Sequence, residues 1–185
     1  MTLIREAKPS DAPAIAIVHV DSWRTTYPGI FPEDWLSTLS YAKREELWTT
    51  ILSQPGMGAT SLVLVAEEHE GRITGFASGG PERSGDPDYQ AELYALYLLE
   101  SAQRKGLGRR LFETFVDALI RSERFSLLVW VAEGNPACRF YEAMGGKPVK
   151  TKEESFGDHL LTELGYGWPD IRLIKGKRTS DQPDR

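Results

Sequence analysis

Two runs of this chain are apolar at almost every position, Ala91–Leu99 and Phe125–Ala132. A strand without polar alternation is covered on both faces, so each run predicts a central strand of a layered domain. Between them Leu111, Phe112, Phe115, Val116, Leu119 and Ile120 recur at helical spacing, with Arg109, Glu113, Asp117 and Arg121 on the opposite face. That pattern predicts an amphipathic helix ending at Arg121. Ahead of this block the pattern gives a first strand at Leu3–Glu6 and a helix from Ala12 to Val20, started by Pro9-Ser10-Asp11. The aromatic stretch from Asp21 to Pro32 reads as a helix end turning into a loop at Pro28-Gly29. A helix follows at Tyr41–Leu52, then a breaker at Gln54–Gly58. Strands at Ser61–Glu67 and Ile73–Gly79 flank a tight turn, His69–Arg72, and Gly80–Tyr89 is a polar loop. After the second central strand, Gly134-Asn135-Pro136 opens a short helix carrying Ala137, Phe140, Tyr141 and Met144 on one face, and Gly145-Gly146 closes it. Pro148–Thr151 and Leu160–Tyr166 fit two closing strands around a Gly157-Asp158 turn.

Composition narrows the picture without deciding it. With 185 residues and 41% hydrophobic content, one domain over residues 1–174 is expected, with a polar, flexible tail over 175–185. A net charge of −5 argues against a general nucleic-acid binder, whose phosphate contacts need a basic face. The single cysteine, Cys138, excludes an internal disulfide framework and a cysteine zinc cluster. The three histidines are scattered, so no metal is implied. The N-terminus gains charge at once and no apolar run is long enough to span a bilayer. A cytoplasmic protein without a membrane partner is the expectation.

The chemistry concentrates in Gln103-Arg104-Lys105-Gly106-Leu107-Gly108-Arg109-Arg110. Glycines at the mouth of a helix let a ligand approach the backbone, and the first helical amides have no intrahelical acceptor. Such a mouth suits a phosphate group. The stretch lacks the Gly-Lys-Ser/Thr of a nucleotide P-loop, and Leu111 stands where a dinucleotide fingerprint has its third glycine.

Gln103, Gly106 and Gly108 resemble the Gln/Arg-x-x-Gly-x-Gly/Ala loop of the GNAT superfamily, the acetyl-CoA-dependent N-acetyltransferases. The strand after the loop helix, Asn135 before a helix carrying Phe140-Tyr141, and the closing strand pair follow in that family's order. The resemblance covers roughly Thr2 to Ile174. One departure is Leu99-Glu100-Ser101-Ala102, which lacks the proline many relatives carry before the loop.

The resemblance implies a fold, a cofactor and a division of roles. The fold is α/β (α+β), a three-layer α-β-α domain whose mixed, mostly antiparallel sheet splays at its middle strands. The co-substrate is acetyl-CoA. Its pantetheine arm pairs with backbone around Tyr97, Leu98 and Leu99, and with Asn135. Its pyrophosphate rests on the amides from Arg104 through Lys105, Gly106, Leu107 and Gly108 to Arg109. Trp23, Tyr27 and Trp35 are candidates to wall the acceptor site, against the plainer reading that they staple helices to the sheet. Glu92 is the candidate base for the acceptor's ammonium, against a charge at a strand end. Tyr141 is the candidate acid for the leaving thiolate, against a packed tyrosine. A backbone N–H near Leu98 would hold the oxyanion.

The expected reaction is direct attack by a primary amine in a ternary complex. The amine belongs to a small molecule, a polyamine or a peptide, and a homodimer is compatible with such a domain. Cys138 raises an acetyl-cysteine route, against a buried inert thiol. His19 reads as a packed histidine. The rivals are a non-catalytic acyl-CoA-binding or regulatory module on the same fold, and a nucleotide-binding protein using the same glycine loop.

Overall fold

The computed structural model describes residues 2–54, 61–156 and 159–176. The chain divides into two compact units, Met1–Gly80 with Tyr94–Phe115, and Pro81–Leu93 with Val116–Arg185. Among the described residues seven strands, β1 (Leu3–Glu6), β2 (Leu62–Glu67), β3 (Ile73–Pro81), β4 (Ala91–Leu98), β5 (Leu127–Ala132), β6 (Lys147–Phe156) and β7 (His159–Trp168), hydrogen-bond in the order β1-β2-β3-β4-β5-β7-β6.

In the first unit β1 (Leu3–Glu6), β2 (Leu62–Glu67) and β3 (Ile73–Pro81) are antiparallel neighbours, Leu3 opposite Glu67 and Leu64 opposite Ala77. Between β1 and β2 come α1 (Ala12–Thr26), α2 (Glu33–Ser37) and α3 (Tyr41–Leu52). Ile15, Val18, Trp48, Val63, Val65 and Phe76 form the core of this unit. Complete burial of a side chain such as Phe76 contributes about 1.5–3 kcal/mol. Arg5 ties β1 to its surroundings: it donates to Asp11 at 2.7 and 3.1 Å and pairs with Glu67. Its charge holds the Asp11 carboxyl below the usual carboxylate range.

Helix α1 extends to Thr26, six residues past the expected end at Val20. Nothing between Asp21 and Thr26 breaks a helix. Thr25 bonds back to the Asp21 carbonyl at 3.0 Å, and the Tyr27 N–H closes the last turn on Trp23 at 3.0 Å. The chain leaves only at Pro28-Gly29, where Gly29 has φ +80°. The His69–Arg72 turn has two residues at positive φ, Glu70 and Gly71.

In the second unit β5 (Leu127–Ala132) pairs antiparallel with β7 (His159–Trp168), which pairs with β6 (Lys147–Phe156). The hairpin β6–β7 is longer than Pro148–Thr151 and Leu160–Tyr166. Lys152 and Glu154 break the apolar pattern, but Lys152 pairs across the hairpin with Glu163 at 3.0 Å and lies 4.6 Å from the centre of the Trp130 ring. Cross-strand charge replaces apolar alternation there. The short helices are α5 (Ala137–Ala143) and α6 (Leu173–Gly176). The Gly157-Asp158 turn, Pro55–Gly58 of the breaker and the tail from residue 177 lie outside the described residues.

β4 (Ala91–Leu98) belongs to both units by sequence. Its parallel register with β5 covers Ala91–Leu93 opposite Leu127–Val129, three of its eight residues. α4 (Leu107–Arg121) follows it and begins four residues earlier than its apolar pattern at Leu111.

Candidate active site

Beyond Leu98 the chain makes a 3-10 turn, Glu100–Ala102, over the stretch where the resemblance implies a proline and the sequence has none. Backbone bonds from Ala102 to Leu99 (2.8 Å) and from Gln103 to Glu100 (3.1 Å) supply the bend that a proline would otherwise fix. Arg104 at φ +58° and Gly106 at φ +76° then place two left-handed residues just ahead of α4. Alternation of this kind turns successive N–H groups toward one point. For the amides from Arg104 to Arg109 no protein acceptor is found among the described residues. The first turn-closing bond runs from Arg110 to the Gly106 carbonyl at 3.1 Å. Arg104 and Lys105 are exposed, and neither has an ion-pair partner among the described residues. Arg109 is held by Glu113 at 3.0 Å and Arg110 donates to the Thr2 carbonyl at 2.8 Å. Two of the four cations therefore remain for a ligand.

The end of β4 is tightly determined. The Leu98 carbonyl accepts from the Ser22 hydroxyl at 3.0 Å and from the Gln103 amide at 3.1 Å. The Leu99 N–H donates to Thr74 at 2.9 Å. Two of the backbone groups expected to serve a pantetheine arm are thus engaged by protein. Successive residues of a strand point their backbone groups to opposite edges. The Leu99 N–H faces β3, so the Leu98 N–H faces away from it. Gly75 permits this packing: a methyl there would lie 2.2 Å from the Leu98 side chain and 3.0 Å from the Tyr97 carbonyl oxygen.

Around Tyr97 the first unit gathers an aromatic cluster. Trp23 lies 4.6 Å from Tyr27, 5.3 Å from Phe31 and 5.4 Å from Trp35, centre to centre. The Tyr27 and Tyr97 hydroxyls are 3.3 Å apart. Tyr27 and Phe31 are buried, whereas Trp23 and Trp35 are partly exposed. His19 is buried, stacked on Tyr97 at 5.4 Å, and accepts from the Trp48 indole at 3.1 Å through Nδ1. Burial, assisted by the nearby Arg44 charge, lowers its pKa to about 3, so it is a neutral packed histidine.

In the second unit Glu92 is 3% exposed rather than a solvated strand end. Its carboxylate is gripped by Arg83: Oε2 accepts from the backbone N–H and from Nε, each at 3.2 Å, and Oε1 pairs with the guanidinium terminus. Arg83 escaped the sequence reading because a charge in a polar loop carries no periodic signal. Asn135 is 6% exposed, and its Oδ1 accepts from the Ala137 N–H at 2.8 Å, but the helix begins at Ala137 with Pro136 at its N-cap, one residue later than expected. Tyr141 is 5% exposed, its ring 5.1 Å from Phe140, 6.3 Å from Tyr166 and 6.1 Å from Trp168. Cys138 is partly buried, its sulfur 4.0 Å from the Ala132 carbonyl oxygen. The Tyr166 hydroxyl donates to Glu142 at 3.0 Å; burial first, then Cys138 and Glu142, push its pKa up. Among the described residues no cluster of His, Cys, Asp or Glu could hold a metal ion, and no helix is long and apolar enough to cross a membrane.

Comparison with known proteins agrees with these features. Residues 20–146 match the model of the Acetyltransferase (GNAT) family. The chain is 43% identical over 175 residues to the uncharacterized N-acetyltransferase YuaI of Bacillus subtilis (strain 168), covering 95% of this chain and 97% of that one. The fold is shared with the PaiA N-acetyltransferase of Thermoplasma acidophilum, solved in complex with coenzyme A. There the TM-score is 0.67 at 19% identity over 89% of this chain and 98% of that one. It is shared also with YncA of Salmonella typhimurium, solved with its cofactor acetyl-CoA, at TM-score 0.69 and 24% identity over 92% and 94% of the two chains. A glycine loop with uncommitted amides, the seven-stranded sheet and the family match converge: the chain belongs to the Acetyltransferase (GNAT) family and is an acetyl-CoA-dependent acetyltransferase.

Proposed function

We propose that this enzyme moves the acetyl group of acetyl-CoA to a primary amine by direct attack in a ternary complex. The observation that carries the reading is the run of amides from Arg104 to Arg109 at the mouth of α4, for which no protein acceptor is found among the described residues. A diphosphate satisfies them, and Arg104 and Lys105 add unpaired charge beside it. Bound acetyl-CoA supplies the activated thioester carbonyl. The Leu98 N–H, directed away from β3, stabilises the oxyanion that develops on that carbonyl. The engaged Leu98 carbonyl and Leu99 N–H leave the pantetheine arm to other groups of β4 and to Asn135, whose cap uses its Oδ1 alone.

The amine nitrogen bonds to the acyl carbon as the carbon–sulfur bond breaks. An alkylammonium with a pKa of about 10.4 must first lose a proton, and Glu92 takes it directly or through water. Arg83 holds the Glu92 carboxylate in one orientation for that transfer. Tyr141 gives its phenolic proton to the departing thiolate, its ring fixed by Phe140, Tyr166 and Trp168. The phenolate then regains a proton from the acylated nitrogen, which leaves as the neutral amide, and Glu92 releases its proton to solvent. Trp23 and Tyr27 line the acceptor side.

Thiol release is measured against an amine panel for the wild type and for Tyr141→Phe. General acid catalysis contributes about 10²–10⁴-fold, so kcat falls by about 10² or more while CoA affinity stays close to the wild-type value. Tight CoA binding with no thiol release on any amine would mark a binding module instead of an enzyme.

A further inference from the structure

The acceptor side of the first unit is rich in donors. Arg44 sits one helical turn before Trp48 on α3, and His19 one turn before Trp23 on α1. The Trp48–His19 hydrogen bond joins the two faces. Arg44 is half-buried, close enough to His19 and Tyr97 for its charge to be felt by both. No carboxylate lies within ion-pair distance of it among the described residues. A half-buried cation without a partner is uncommon, because the lost hydration is not repaid.

A second orphan lies at the same level of the helix pair: Tyr41 bonds to Asp21 at 2.6 Å and Trp48 to His19 at 3.1 Å, which sets Trp23 of α1 level with Arg44 of α3. The Trp23 indole N–H is enclosed and has no acceptor among the described residues. His19, 5.9 Å away centre to centre, cannot accept from it. Its Nδ1 already receives the Trp48 proton, so the ring's own hydrogen is on Nε2. An unmet buried donor is destabilising, and a ligand oxygen that accepts from it removes that cost.

We propose that Arg44, the Trp23 Nε1–H and the His19 Nε2–H form an anion subsite that takes the carboxylate of the acceptor, which makes the acceptor an amino acid or similar zwitterion rather than a polyamine. The inference rests on the amine-acetylating reading above and names its substrate class. The ligand reaches the enclosed indole nitrogen by displacing a ring packed on Trp23, of which Trp35, 5.4 Å away on the five-residue α2, is the partly exposed one.

The test compares kcat/KM for amino acids with that for the same amines lacking the carboxylate, leucine against isopentylamine and phenylalanine against phenethylamine. The wild type prefers the carboxylate-bearing partner by about tenfold or more, the scale of one charge-assisted hydrogen bond. Arg44→Gln collapses the ratio, and Trp23→Phe, which keeps a ring and removes the donor, lowers it several-fold. Thermal melts check that both variants fold. A wild-type ratio near one, or a ratio neither variant changes, overturns the subsite. If no amine is acetylated, the activity reading fails, and the subsite is decided separately by titrating ¹⁵N-labelled enzyme with leucine. A downfield move of the indole resonance that Trp23→Phe abolishes sustains it, and a motionless resonance refutes it.

Discussion

Two strand-to-helix turns in this molecule use similar backbone parts to opposite ends. One precedes α4, the other α5, and each places a glycine at positive φ, Gly106 at +76° and Gly134 at +84°. Before α5 the turn closes on itself, because the Asn135 side chain takes the Ala137 N–H at 2.8 Å. Before α4 no such cap is found among the described residues, and no protein acceptor for its leading amides is found there either. Helix mouths are ordinarily capped at a gain of about 0.5–2 kcal/mol. A mouth left uncapped forgoes that gain, and it does so where the family's diphosphate is proposed to sit. Capping chemistry thus separates a turn closed by its own side chain from one whose amides are left for the proposed ligand.

The comparison can be broken most forcefully at Gly106. A β-branched side chain at φ +76° is strained although the glycine has open space around it, so Gly106→Val distorts the amides themselves. CoA affinity measured by calorimetry is expected to drop by about 30-fold or more, or about 2 kcal/mol. An unchanged affinity would remove the loop from the binding site. Asn135→Ala tests the closed turn. It should lower unfolding stability by about 1 kcal/mol in urea, the usual worth of such a cap. If CoA affinity falls as well, Asn135 also reaches the pantetheine arm through its amide nitrogen. The smallest effect belongs to the charges of the open turn. Arg104→Gln combined with Lys105→Gln should weaken CoA binding about 3- to 10-fold at low salt and less at 0.5 M, since exposed charges are screened. A loss independent of salt would point to distorted backbone instead.

Much of the fold was legible because local signals and packing agree. The apolar runs at Ala91–Leu99 and Phe125–Ala132, the Asn135-Pro136 start and the glycine mouth each carry a periodicity or a stereochemical requirement. The length of α1 was less legible: aromatic residues are neutral helix formers, and only the packing of Trp23 and Tyr27 against Phe31 and Trp35 decides it. The long β6–β7 hairpin was hidden by its lysines and glutamates, which pair with partners that sequence order does not reveal. The same holds for the site. Gly106 and Gly108 announce themselves by type, whereas the grip of Arg83 on Glu92 and the contact between His19 and Trp48 arise from tertiary approach alone.

One oxygen has a consequence larger than its size. The Leu98 carbonyl holds both Ser22, in the first helix, and Gln103, at the threshold of the glycine loop. Two segments eighty-one positions apart are thereby yoked through a single atom, and neither can shift without straining the other's hold. On the proposed reading, settling of the loop around a diphosphate would be felt at the helix that carries Ser22, and this would favour an ordered arrival, acetyl-CoA first and acceptor second.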